Sequence, residues 1–140
     1  MTTFRIVFWA ILAWIVIIPL AIANGLLRQF VLAPSLGIGL AQPISGLVLI
    51  LLIAGVARGL VRRVGARRYR VWLTIGLGWG LATFGFECSL LFMSGGGLSD
   101  LAAQYNFTDN NLWPLVLLWT ITAPSCLAAL VRLGPETTAD

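Results

Sequence analysis

Glu87 stands inside the apolar run Val71–Met93, which is long enough to cross a bilayer. No other formal charge lies deep within a hydrophobic stretch of this sequence. At such a depth an ionised carboxylate costs roughly 2.5–3.5 kcal/mol on insertion scales unless it is paired, protonated or facing water. Its chemistry therefore depends on the polar groups that share its layer. Six residues short of Met93, it lies roughly 9 Å below the end of its span, at about 1.5 Å per residue. Asn24 and Arg28 close the first apolar run at the same end, and Gln42 and Ser45 open the second. Thr83 falls one turn below Glu87 on the same helical face, with Trp79 one turn further. Tyr105 follows in the next loop.

Arg28 is the natural counter-ion, because it is the one basic residue at that end. Its planar fork matches a carboxylate through two parallel hydrogen bonds, and its stem lets it reach inward or snorkel outward. Two readings follow. In one, Arg28–Glu87 with Asn24 and Gln42 forms an internal brace, each interhelical polar contact contributing roughly 0.6–2 kcal/mol. In the other, the layer is a binding site or part of a conduction path. A protonated, unpaired Glu87 is a third arrangement. A lone carboxylate without a nucleophile, metal or second carboxylate leaves most catalytic constellations incomplete, which speaks against an enzyme. With no histidine and only Cys88 and Cys126, the usual metal and haem sites lack ligands, and no cofactor is expected.

The elements that position these residues must lie in a membrane. Of the 140 residues, 59% are hydrophobic and 10% charged. A soluble domain carries about 25% charged residues, so this chain cannot cover a water-facing surface. The net charge of +4 comes from nine basic residues, all Arg, with six of them between Arg58 and Arg70. One short cluster between apolar runs is a topology signal and not the stripe that nucleic acid requires.

Hydropathy predicts an all-α fold, a four-helix transmembrane bundle in a single domain over residues 1–140. The expected spans are about 6–27, 41–61, 71–93 and 112–131. Arg5, a long apolar run and Ala21-Ile22-Ala23 also have the outline of a cleavable secretory signal. The run is long for such a signal and is read as a retained helix. Arg5, the six-Arg loop and Arg132 fall on one side of the four spans, against Arg28 with Asp100 and Asp109 on the other. The positive-inside rule then places both termini in the cytoplasm of a multi-pass membrane protein.

The third loop, 94–111, is expected outside. Gly95-Gly96-Gly97 breaks the helix, and Ser99 is placed to cap a short interfacial one with Asp100 in its first turn. Leu98, Leu101, Ala102 and Tyr105 then form an apolar stripe that reads as an interfacial spacer or as a lid over a cavity. Asn106-Phe107-Thr108 matches a glycosylation sequon, relevant only in a secretory pathway.

Pro19, Pro43 and Pro124 lie in or near spans, and interior prolines free the carbonyls of Ile15 and Thr120. Gly76-x-x-x-Gly80, Gly55-x-x-x-Gly59, Gly78-x-x-x-Ala82 and Ala21-x-x-x-Gly25 allow close helix approach, within one chain or between chains. Trp9, Trp72 and Trp113 suit an interfacial belt, while Trp14, Trp79 and Trp119 suit packing, Trp79 also a lining role. Cys88 and Cys126 differ in depth by roughly 13 Å, beyond disulfide reach.

The segments Ala23-Asn24-Gly25-Leu26-Leu27-Arg28, Phe84-Gly85-Phe86-Glu87 and Tyr105-Asn106 before Leu112-Trp113 resemble a group of small, uncharacterised four-helix proteins of the bacterial inner membrane. The resemblance spans nearly the whole chain and implies no function. It marks Asn24, Arg28, Glu87, Tyr105 and Asn106 as positions to watch. Membrane glutathione-transferase relatives, small multidrug exporters and fluoride channels share the size, but their signature residues do not align. The expected function is a small-solute or ion- or proton-coupled transporter or channel, working as a homo-oligomer or in a larger membrane complex. The alternative is an accessory subunit whose polar layer is only a brace.

Overall fold

The first apolar helix does not stop where polar residues appear. In the computed structural model, which describes residues 1–106 and 110–133, α1 (Thr3–Leu27) runs directly into a π-helical segment (Arg28–Leu32) and then α2 (Ala33–Leu36). Pro34 sits in the first turn of α2, where a missing N–H is tolerated. Gly37, at φ +77°, makes the turn into α3 (Ile38–Val64) by itself. That backbone conformation is open to glycine and strained for other residues. The expected loop over 28–40 is therefore mostly helix.

Next come α4 (Tyr69–Met93), the short α5 (Leu98–Gln104) and α6 (Trp113–Leu133). The described residues contain no strand. Four helical stretches, Thr3–Leu36, Ile38–Val64, Tyr69–Met93 and Trp113–Val131, are long and apolar enough to cross a membrane. Pro19, Pro43 and Pro124 all lie within helices. Leu51 and Leu81, more than 70% exposed, point outward as lipid-facing residues do.

Packing runs in the order α1, α3, α6, α4. α1 packs along α3, α3 along α6 and α6 along α4, whereas α1 and α4 touch only sparsely. On α3 the buried side chains Ala41, Ser45, Leu49, Ile53 and Ala57 recur every fourth residue, which gives one continuous inner stripe. The α4–α6 contact is the tightest. A Cβ on Gly76 would run into the Ile121 carbonyl oxygen, and one on Gly80 into the Ile121 side chain. This glycine pair thus serves a contact within the chain, while Gly55 and Gly59 on α3 face open space.

Three deep tryptophans bridge helices. Trp79 Nε1 donates to the Ala10 carbonyl at 2.9 Å, Trp14 Nε1 to Thr83 Oγ1 at 3.1 Å and Trp119 Nε1 to the Ile50 carbonyl at 3.0 Å. The first two contacts, one turn apart on each helix, set α1 and α4 in parallel register. Trp72 departs from the expected interfacial belt. It is 1% exposed, because its position one turn before Gly76 lies on the face that α4 turns to the core. At the Arg-rich end, Arg67 Nη2 donates to the Met1 carbonyl at 3.5 Å, and the Arg63 guanidinium lies 4.3 Å from the Trp9 ring centroid.

Candidate functional site

At the end opposite the Arg-rich loop the helices part around a cavity of about 530 Å³. Asn24 and Arg28 reach it from successive turns of the first helix, and Gln42, Ser45 and Leu49 from successive turns of α3. Glu87 enters from α4, Asp100 from α5, and Asn111 and Trp113 from the start of α6. Four of the six residues singled out in the sequence, Asn24, Arg28, Gln42 and Glu87, thus line one space.

The expected Arg28–Glu87 ion pair does not form. Arg28 opens the π-helical segment and donates through Nη1 to Gln42 Oε1 at 3.4 Å. The half-buried Glu87 takes its hydrogen bond from the Tyr105 hydroxyl, 2.7 Å from Oε2. α5 carries Tyr105 back over the end of α4, so a neutral donor occupies the place expected for the guanidinium. The Phe84 ring, 6.0 Å from that of Tyr105 and tilted by 56°, supports it from one turn below Glu87. Burial raises the Tyr105 hydroxyl pKa above its ordinary value, and the hydrogen bond to Glu87 raises it further. The Trp113 indole N–H is buried and has no hydrogen-bond partner among the described residues.

Asn24 is 6% exposed, and its Nδ2 donates to both the carbonyl and the hydroxyl of Ser45, at 3.0 and 2.9 Å. Its Oδ1 is buried without a donor among the described residues. Asp100 binds locally, its Oδ2 accepting the Gly97 N–H at 2.8 Å. The helix starts two residues earlier than expected, so Gly97 and not Ser99 stands at the cap position. Asn111 Oδ1 accepts the Trp113 N–H at 3.0 Å, and Asn111 Nδ2 donates to the Asn106 carbonyl at 3.1 Å, which fixes the entry to α6 beside the cavity.

Thr83 stands apart from this site, engaged as the acceptor for Trp14 between α1 and α4. Trp79 likewise lines a different space, an apolar fissure of about 450 Å³ between those helices. Asp100, Asn111 and Trp113 were not picked out as site residues, since each has an adequate local role in capping or at an interface. The fold-back of α5 brings Asp100, and the packing of α6 on α4 brings Asn111 and Trp113, to the cavity that Glu87 lines. The sequon residues Phe107 and Thr108, and Asp109, lie outside the described residues. Cys88 and Cys126 are both free. No group of three or more His, Cys, Asp or Glu side chains placed to hold a metal occurs among the described residues.

No protein-family model matches this chain, and neither a curated protein nor a solved structure matches it.

Proposed function

We propose that this chain is a multi-pass protein of the bacterial inner membrane, with its termini and Arg-rich loop in the cytoplasm, that binds and passes a small polar solute or ion. The observation that carries this reading is the cavity that Arg28 and Glu87 share without pairing. A brace neutralises its charges against each other, because an unpaired intramembrane charge is costly. Here both charges face a space large enough for a ligand, within the roughly 300–1,000 Å³ typical of small-molecule sites. Glu87 serves as the proton or cation site, oriented by Tyr105, and Arg28 as the opposing charge at the mouth.

Reconstitution into liposomes tests the reading. Proton flux under an imposed gradient is expected in the intact protein and is reduced at least about tenfold by Glu87→Gln. Flux unchanged by that substitution removes Glu87 from the mechanism. Access is tested separately with Gln42→Cys on a Cys88→Ser, Cys126→Ser background. A membrane-impermeant thiol reagent reacts from the periplasmic side if the orientation and the wet cavity are as proposed.

A second reading has one specific observation in its favour. Gly55 and Gly59 leave a bare strip on α3, suited to a second copy or another membrane helix. The chain is then an accessory subunit, and Gly59→Leu disrupts assembly while flux is absent throughout.

A further inference from the structure

Resting on the reading of this cavity as a binding site, we propose that its ligand is a small zwitterion, a molecule carrying an ammonium group and an oxyanion a few bonds apart. Arg28 contributes a guanidinium whose one hydrogen bond among the described residues is the long contact to the neutral Gln42. A guanidinium has five N–H donors, so most remain for an oxyanion. Glu87 and Asp100 add carboxylates to the lining of the same cavity, from α4 and α5. Each spends one oxygen locally, Glu87 Oε2 on Tyr105 and Asp100 Oδ2 on the Gly97 N–H. A carboxylate offers about four acceptor positions, so both keep capacity for an ammonium group.

Simple ions fit this arrangement poorly. A bare anion drawn to Arg28 meets two carboxylates, and a bare cation drawn to the carboxylates meets Arg28. Like-charge juxtaposition of this kind selects against wrong ligands. A zwitterion with its ammonium toward Glu87 and its oxyanion toward Arg28 satisfies both walls together.

The same zwitterionic chemistry occurs in free amino acids and amino phosphates and in the headgroup of an ethanolamine phospholipid.

The test uses the full chain in nanodiscs of phosphatidylglycerol, which lacks an ammonium group. Binding of 4-aminobutyrate and phosphoethanolamine is followed by calorimetry, with ethanolamine and inorganic phosphate as the half-molecule controls. At least one zwitterion is expected to bind about tenfold or more tightly than either control. Arg28→Gln and Glu87→Gln are each expected to weaken it by about tenfold or more, as loss of a charge-assisted hydrogen bond does, while Arg28→Lys retains binding. Variants are compared only at matched helical circular dichroism and elution volume, with Arg28→Lys as the variant least disturbing to the fold. Nanodiscs of phosphatidylethanolamine separate the sources: competition with phosphoethanolamine assigns the site to a lipid headgroup, and its absence to a soluble solute, both within the proposal. Ethanolamine binding as tightly as the zwitterions overturns the proposal yet leaves a Glu87-centred cation site standing. Absence of saturable zwitterion binding overturns it as well, and with flux indifferent to Glu87→Gln the wider reading falls too.

Discussion

The Tyr105 hydroxyl donates a 2.7 Å hydrogen bond to Glu87 Oε2 across the turn that joins α4 to α5. This contact ties the short helix to the one carboxylate inside a span. It also explains how Glu87 is accommodated without a cation. One of its oxygens is held by a phenol, and the side chain borders a polar cavity instead of lipid.

Tyr105 is expected to ionise at higher pH than a free tyrosine, since burial and then the Glu87 hydrogen bond both favour the protonated phenol. The folded protein holds that proton more tightly than the unfolded chain does. The resulting stabilisation is complete below the ordinary phenol pKa of about 10 and is lost as pH rises through the higher folded value. Subtracting the phenolate absorbance of Tyr105→Phe from that of the intact protein isolates this group. A Tyr105 signal that titrates at or below the ordinary value contradicts the contact.

Gly76→Ala is expected to be severe, and Gly80→Ala milder. The added methyl at Gly76 meets a backbone carbonyl, which moves only if α4 and α6 separate, whereas at Gly80 it meets the Ile121 side chain, which can change rotamer. Overpacking of a well-packed core costs about 1–3 kcal/mol, and Gly76→Ala belongs at the upper end. Gly59→Ala has open space and serves as the neutral control. Unfolding in mixed micelles ranks the three, and equal effects at Gly76 and Gly59 count against the packing described here.

Much of the fold is legible in the sequence, because span length and apolar composition are constraints that a bilayer imposes locally. The depth of Asn24, Gln42 and Glu87 follows from rise per residue alone, and those three meet as expected. Thr83 shows the limit of that reasoning. It shares a helical face with Glu87, but the Trp14 indole from a neighbouring helix takes its hydroxyl. Residue spacing fixes depth and approximate face, whereas which helix stands opposite depends on the packing order. Tyr105 was legible as a candidate but not as the partner of Glu87, since that depends on how the Gly95-Gly96-Gly97 turn aims α5. The π-helical segment at Arg28 is likewise invisible to hydropathy, which ends a helix where polar residues begin.

Thr83→Val tests the α1–α4 seam. It removes the acceptor for the Trp14 indole and leaves that N–H without its partner, in a contact where two tryptophan hydrogen bonds bridge sparsely packed helices. Interhelical polar contacts of this type average about 0.6 kcal/mol, so a loss of about 0.5–1 kcal/mol is expected, without change in ligand binding or flux. A large effect on flux would place Thr83 in the working site after all.

Coupling between charges distinguishes the present arrangement from an ion-pair brace. Arg28 bonds to Gln42 and Glu87 to Tyr105, so Arg28→Gln and Glu87→Gln act on separate hydrogen bonds. Their effects on stability are expected to add to within about 0.5 kcal/mol, as for sites without a shared partner. Tyr105→Phe with Glu87→Gln is expected to show coupling above that level, because the single substitutions disrupt the same bond. Unfolding of the single and double variants in one micelle system provides both cycles. A strong favourable coupling of Arg28 with Glu87 would restore the direct ion pair. Additivity for Arg28 and coupling for Tyr105 leave the guanidinium and the carboxylate as two walls of one cavity, each free to bind something else.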